Sequence, residues 1–502
     1  MVAALLEIAM TTLVVYDNTF DVPGDVSHHL SLSRFADLRV RRRTLRHRIR
    51  AAVERLRPNV QLLVEDRGTS LDDHKVRKAL HDGARVVYVP SYLAMLNDEA
   101  TLAVYLEKLC LAECSVRVVV AAGAGDVFEG LPVVVLVGTD AADFLDAMRR
   151  GDHRAILVDL VANLEPVPDD IGMADLRDPA QFLSVATSTF DVRHFNSVAA
   201  TDRFTVLKRS SDKAKLRREF DFFALLPAEM QRYFVQPYGF KEELETASYK
   251  MERLFVPDVA VQWTHRAFTV QQFEQMLRRI FHFVSARVER ADSGASPEHE
   301  GLFLSKVAER VGALERTDIF PGLEAQCKVA FGGVRALFER YQRLYALLTK
   351  DVRFPRPVLS HGDLCFSNIL YGRAEGTMKF IDARGGSRLE DLYMPAYYDI
   401  AKLSHFVEGA YDFINAGLFR IELDDVNRPQ LVIKDGDHTS YIRTFRKHCE
   451  EAGFVPRFVR LFEASLFISM TPLHSESPLK VLAFLLNAQR ILDQVEDKAY
   501  WS

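Results

Sequence analysis

The arrangement of apolar and polar positions changes character along the 502-residue chain. Between residues 11 and 165, short apolar runs at 13–16, 60–64, 86–89, 116–121, 133–137 and 155–160 predict strands, with helical periodicity between several of them. That alternation predicts an α/β domain over residues 1–165, built on a mostly parallel sheet. Pro166, Pro168, Asp169, Asp170 and Gly172 are turn formers, and they predict a linker over 166–190. From 191 to 256 the pattern shifts to short β-like runs, 204–208 and 249–254, around one helix starting near Lys213. From 257 to 502 long amphipathic helical stretches dominate, broken by a compact polar block at 358–400. The expected architecture is therefore an α/β domain followed by a bilobal α+β unit with a largely helical second lobe.

Composition narrows the classes. Apolar residues make up 48% of the chain and charged residues 26%, a balance that supplies several globular cores and argues against a disordered or membrane protein. A net charge of −5 on a chain this long gives no field that would draw it onto nucleic acid. No run reaches the length of a transmembrane helix, and the opening segment is acidic at Glu7 without a basic start, so neither a span nor a signal peptide is expected. The cysteines Cys110, Cys114, Cys327, Cys365 and Cys449 are odd in number and scattered, which fits a reducing cytoplasm rather than a disulfide framework. Cys110 and Cys114 lie one helical turn apart with no histidine nearby and read as thiols, not metal ligands. Oligomeric state is left open by these features.

The chemistry concentrates in 358–382. Val358-Leu359-Ser360-His361-Gly362-Asp363-Leu364-Cys365-Phe366-Ser367-Asn368 reads as an apolar strand entering a polar loop, and a second carboxylate, Asp382, ends the run Lys379-Phe380-Ile381. Two carboxylates and an amide that converge suit phosphoryl transfer, which needs a base for the attacking hydroxyl and oxygen ligands for a divalent cation on the phosphates. Upstream, Lys208 ends the strand-like run 204–208, and Glu219 follows eleven positions later in a predicted helix. A strand lysine fixed by a helix glutamate is a phosphate-positioning arrangement, although a solvated pair is the commoner origin of such spacing, and Arg217 and Arg218 are alternative charge partners.

His361-Gly362-Asp363, then Asn368, then Ile381-Asp382 resemble the catalytic block of the aminoglycoside phosphotransferase and choline kinase superfamily, whose fold is protein-kinase-like. The resemblance covers roughly 185–495 and implies a bilobal kinase-like domain using ATP and Mg²⁺ to phosphorylate a small hydroxyl acceptor. It implies Asp363 as base, His361 as a brace of the loop, Asn368 and Asp382 as metal ligands, and Asp399 as a stabiliser of the loop from the next helix. Met251 and Arg253 fall where the inter-lobe hinge reads the nucleotide base, and Arg384 is placed to neutralise phosphate or to pair with Asp399. The glycine-rich phosphate loop of protein kinases is missing, with Phe195, Asn196 and Ser197 as substitute phosphate donors. Together with Ala383-Arg384-Gly385 and Pro472-Leu473-His474, these features are similar to phosphotransferase-like proteins of bacterial capsule and surface-polysaccharide clusters, which implies a sugar or sugar-linked alcohol as acceptor and association with a polysaccharide-synthesis complex.

In that setting the first domain is expected to resemble a degenerate nucleotidyltransferase, since no Gly-rich phosphate-binding start is present. Two alternatives follow: a nucleotide-binding pseudokinase or scaffold, and a bifunctional enzyme with a sugar-nucleotide site in the first domain. Asp17-Asn18-Thr19 is superficially similar to a phosphatase aspartate turn but lacks its second aspartate, so a turn or helix cap is expected. The dense basic run from Arg39 to Arg50 reads as a solvated helix face paired with acidic neighbours, with an anionic ligand or membrane face as the alternative.

Overall fold

The computed structural model describes residues 11–40, 43–66, 73–120, 130–187, 196–200, 204–291, 297–434 and 437–501. The chain divides into two compact units, Met1–Phe190 and Asp191–Ser502.

In the first unit the apolar runs become β1 (Thr12–Asn18), β2 (Val60–Asp66), β3 (Arg85–Pro90), β4 (Val116–Val119), β5 (Val134–Leu136) and β6 (Glu165–Pro168). Interleaved with them are α1 (Leu45–Val53), α2 (Asp73–His81), α3 (Glu99–Cys110), α4 (Thr139–Arg150), α5 (His153–Val161) and α6 (Pro179–Thr187). The strands form one sheet in the order β2-β1-β3-β5-β4-β6. β1 runs parallel to both β2 and β3, and β4 parallel to β6, but β5 is antiparallel to both its neighbours, so the sheet is mixed: five of its six strands run in one direction, as expected, and β5 alone is reversed. Its core packs Val15, Val86, Val134 and Tyr88 against Val76, Phe144, Met148 and Leu157 from the helices.

Two expectations are corrected here. Residues 155–160 are helical, within α5, and bury Leu157; a six-residue apolar run fits a buried helical turn as well as a strand. The stretch 166–190 is not a bare connection: it holds most of β6, a short strand at Ala174–Asp175 and α6. Pro166 and Pro168 stand on an edge strand, the place in a sheet where a missing N–H is tolerated.

The second unit begins with an antiparallel sheet in the order β7-β8-β10-β9, made of β7 (Asn196–Ala200), β8 (Thr205–Ser210), β9 (Pro237–Glu242) and β10 (Ala247–Glu252). α7 (Lys213–Leu225) lies on it, its first turn capped by Asp212, whose carboxylate accepts the Lys215 N–H at 3.0 Å. Leu216, Ala247, Tyr249 and Met251 form the apolar contact between helix and sheet. A helical part follows: α8 (Val270–Ser285), α9 (Lys306–Glu315), α10 (Val334–Thr349), α11 (Tyr397–Val407), α12 (Pro456–Met470) and α13 (Pro478–Glu496). α12 is its hub, packing on α9, α10, α11 and α13, and its own residues from Val459 to Ile468 are buried all round. Between α10 and α11 the chain forms two small hairpin pairings, β11 (Val358–Leu359) with β14 (Tyr393–Met394), and β12 (Ile369–Tyr371) with β13 (Met378–Phe380). The polar block predicted to carry the chemistry is the set of loops joining these four strands. Among the described residues no helix is long and apolar enough to cross a membrane.

Candidate active site

Lys208 sits near the end of β8, opposite Tyr249 of β10, and is buried. Its Nζ donates to Glu219 Oε2 of α7 at 2.6 Å and to Asp382 Oδ1 at 2.8 Å. Burial alone would strip the proton, but the Asp382 and Glu219 carboxylates hold the ammonium charged, well above the usual lysine range. Arg217, the alternative partner for charge, is instead turned to Asp221 at 2.8 Å on the surface of the helix.

Gly385 shows how α7 is held. It has φ +72°, and a Cβ there would lie 2.2 Å from the Arg218 carbonyl oxygen and 2.7 Å from the Glu219 nitrogen. The backbone after Asp382 thus presses directly on the helix that carries Glu219, a contact only glycine permits. Asp382 itself has φ +57°, a left-handed conformation that aspartate tolerates better than most residues. One of its oxygens is committed to Lys208, and the side chain keeps 35% of its exposure.

The loop from 360 to 368 is fixed from below by Asp399, in the first turn of α11. Asp399 is fully buried and accepts the His361 N–H at 3.1 Å through Oδ2 and the Gly362 N–H at 3.0 Å through Oδ1. The Arg287 guanidinium stands behind it at 3.5 Å, also buried, and donates to the Ala396 carbonyl. The His361 Nδ1 accepts the Asp363 N–H at 3.2 Å, so Nε2 carries the ring proton and donates to the Ile381 carbonyl at 3.0 Å. Burial lowers the pKa of this imidazole, consistent with a neutral ring that ties the 361–363 loop to the Asp382 strand end. Gly362 at φ +77° is a second position closed to side chains, because a Cβ would meet the Arg384 Cβ at 2.8 Å.

Asp363 stands out of this frame with 46% of its side chain exposed, and its Oδ1 lies 3.0 Å from Lys402 Nζ. The Asn368 amide donates its N–H to the Asp363 carbonyl at 2.9 Å, and the Asn368 carbonyl accepts the Ile381 N–H at 3.0 Å. Asp363, Asn368 and Ile381, the residue before Asp382, are therefore linked through one hydrogen-bond network. A narrow, mainly aromatic cavity lined by Phe222, Phe234, Tyr249, Met251 and Phe380 opens beside Glu219 and Asp382.

The remaining expected residues fall as follows. Met251 lies on β10 and lines that cavity, while the Arg253 N–H is spent on the Phe204 carbonyl at 2.8 Å and its guanidinium stacks over Phe255. Arg384 is exposed, and Asp399 pairs with Arg287. Phe195 and the side chains of Asn196 and Ser197 lie outside the described residues, as do Arg41 and Arg42 of the basic run. Arg287 and Lys402 escaped the sequence analysis. Lys402 had a usable signal, since it follows Asp399 by three residues on the same helix and so shares its face.

In the first unit, Asp17 at the carboxyl end of β1 is fully buried and makes the expected turn, accepting from the Thr19 N–H at 2.9 Å and the Thr19 hydroxyl at 2.7 Å. It also takes two hydrogen bonds from Arg154, both at 3.0 Å, and one from the Tyr88 hydroxyl at 2.7 Å. Glu65 and His153 bring ligand-type atoms within 4.8 Å of it and of each other. With its oxygens already occupied by five donors, Asp17 is a brace rather than a metal ligand. The basic run is likewise paired: Arg46 forks onto Asp66, Arg43 pairs with Glu99, and buried Arg48 donates to the Leu96 and Asn97 carbonyls.

No protein-family profile and no curated protein matches the chain. Among solved structures it is similar to a thermostable mutant of aminoglycoside phosphotransferase APH(4)-Ia in ternary complex with AMP-PNP and hygromycin B, at 11% identity over 61% of this chain and 92% of that one, TM-score 0.39. A further similarity is to a fructosamine-3-kinase candidate from Haemophilus somnus 129PT, at 11% identity over 63% of this chain and 96% of that one, TM-score 0.34.

Proposed function

We propose that the second unit is an ATP- and Mg²⁺-dependent phosphotransferase that moves the γ-phosphate to a hydroxyl of a small acceptor. The observation that carries this is the bridge from Lys208 to both Glu219 and Asp382, set beside a half-exposed Asp363 on a loop whose amides are pinned by Asp399. A merely structural ion pair would not require the strained Asp382 backbone or the close approach at Gly385.

Each residue then has a task. Lys208, oriented by Glu219, supplies a fixed positive charge to the nucleotide phosphates. Asp363 orients the acceptor hydroxyl and takes its proton, with Lys402 holding the carboxylate in place. The residues present fit a divalent cation: Asp382 has an oxygen not used by Lys208, and Asn368, which donates through its amide nitrogen, offers its side-chain oxygen. When bound, Mg²⁺ would supply charge neutralisation on the phosphates. On the sequence motifs alone, the acceptor we favour is a sugar or sugar-linked alcohol of surface-polysaccharide synthesis.

The test is ATP binding and slow ATP turnover by the purified full chain, with and without Mg²⁺, against Asp382→Ala. Mg²⁺-dependent turnover that disappears in the variant is expected. A native chain that binds no nucleoside triphosphate would overturn the proposal.

A further inference from the structure

The neighbourhood of Asp363 holds more positive charge than the transfer chemistry needs. Lys402 and Lys306 approach the same ring, their Nζ atoms lying 5.9 and 6.0 Å from the Tyr398 centroid, and Lys402 is also 3.0 Å from Asp363. Arg310 is one turn beyond Lys306 on α9 and shares its face. The stem of Arg384 runs against Gly362, the residue before Asp363. Among the described residues Lys306, Arg310 and Arg384 form no ion pair with a carboxylate, and Asp363, the acid that acts on Lys306, is engaged by Lys402.

Such an arrangement is unfavourable in the protein alone. Burial first, then the charges of Arg384, Lys402 and Arg310, depress the Lys306 ammonium to about 8. Lys306 also follows directly on a π-helical turn, Gly301–Ser305, a distortion of the i→i+4 ladder that re-aims the residues around it. Several cations sharing one carboxylate are under-compensated, and a further anion beside them favours their charged forms. The nucleotide phosphates have their own fixed cation in Lys208, which is turned to Asp382, whereas the acid that acts on Lys306 and Lys402 is Asp363, the acceptor-side base.

From this placement we infer that the acceptor bears an anionic group, a phosphate or a carboxylate, held by Lys306, Arg310 and Arg384 next to the hydroxyl that Asp363 activates. The inference rests on the phosphotransferase reading and adds the acceptor's charge to it. Neutral and cationic polyols are then poor acceptors, because they leave the three cations unpaired.

The experiment uses the full chain saturated with Mg-ADP, so that the nucleotide site is filled, and titrates it calorimetrically with glycerol 3-phosphate, glycerate and glycerol. Binding of at least one anion but not of glycerol is expected, and which anion binds separates phosphate from carboxylate. The double variant Lys306→Ala, Arg310→Ala should weaken that binding at least about tenfold, the loss of one charge-assisted hydrogen bond, while Lys306→Arg retains most of it. Mg-ADP affinity should stay the same in all of them, which also shows that the variants are folded. Glycerol binding as well as the anions do, absence of anion binding to the ADP-loaded protein, or unchanged anion affinity in the double variant would each overturn the inference. Failure of the native chain to bind Mg-ADP would instead sink the phosphotransferase reading beneath it.

Discussion

Each unit contains an aspartate surrounded by cations at the end of a strand or its following loop, and the two are satisfied to different degrees. Asp17 of the first unit is 0% exposed and accepts five hydrogen bonds from Arg154, Tyr88 and Thr19. Asp382 and Asp363 of the second unit keep 35% and 46% of their side-chain exposure, with Lys208 and Lys402 as their ion partners. A carboxylate whose lone pairs are all taken holds structure together and has nothing left for a ligand. One that is positioned by a cation yet open to solvent can accept a proton or coordinate a metal. The contrast is the reason the proposed chemistry is assigned to the second unit, and it explains why acidic residues near basic ones are by themselves a poor guide to a site.

The sharpest way to break this comparison is to neutralise one acid of each kind. Asp363→Asn keeps the loop's shape, because Asp399 and His361 hold its backbone, but removes the proposed base. Phosphoryl transfer should fall by about 10²–10⁴-fold while Mg-ATP affinity changes less than about twofold. Steady-state transfer assays with a parallel nucleotide titration check this. Comparable loss of transfer and nucleotide affinity would assign Asp363 a structural role like that of Asp17.

The candidate site was legible in sequence because its parts are local. His361, Gly362, Asp363 and Asn368 sit on one loop, Asp382 follows two residues after β13, and Lys208 and Glu219 lie on a strand and the helix directly after it. What stayed hidden depends on contacts between distant segments, which leave no periodicity. Arg287 supports Asp399 from 112 positions away, and Lys306 reaches Tyr398 from another helix. The fold of the first unit was read less well. Residues 155–160 lack the length that separates helix from strand, and prolines on an edge strand are indistinguishable in sequence from prolines of a linker. The orientation of β5, antiparallel inside an otherwise crossover-type sheet, depends on the path of the chain rather than on the composition of the strand.

A smaller effect, and on a different observable, is expected from Asp17→Ala. The substitution leaves Arg154 without its buried partner and His153 with Glu65 alone, and breaking a buried pair in this way costs roughly 3–5 kcal/mol. Denaturant unfolding should report that loss in the first unit, with phosphoryl transfer by the second unit unaltered at permissive temperature. Loss of transfer on a still-folded chain would place Asp17 in the chemistry and erase the distinction between the two aspartates.

The smallest effect is the response to pH, where the two units should lose stability in adjacent windows. In the second unit, burial raises the Asp258 carboxyl from 3.8 to about 7, beside buried Asp412, whose carboxyl is also raised by burial and by Asp258. Between these values the folded state keeps a proton that the unfolded chain has released, so stability falls as pH rises from about 4 to about 7. In the first unit burial opposes protonation of His153, but Asp17 and Glu65 overcome it and raise the imidazole from 6.5 to about 9. Its contribution is complete below pH 6.5 and is lost as pH climbs through 9. Hydrogen exchange followed peptide by peptide resolves the two units, which a single melting curve does not. Asp258→Asn, which can still cap the Val261 N–H now bonded at 2.9 Å, should flatten the lower window only, and His153→Gln the upper one only. If both variants flattened the same window, the two charge networks would not be the independent structures that their different degrees of satisfaction imply.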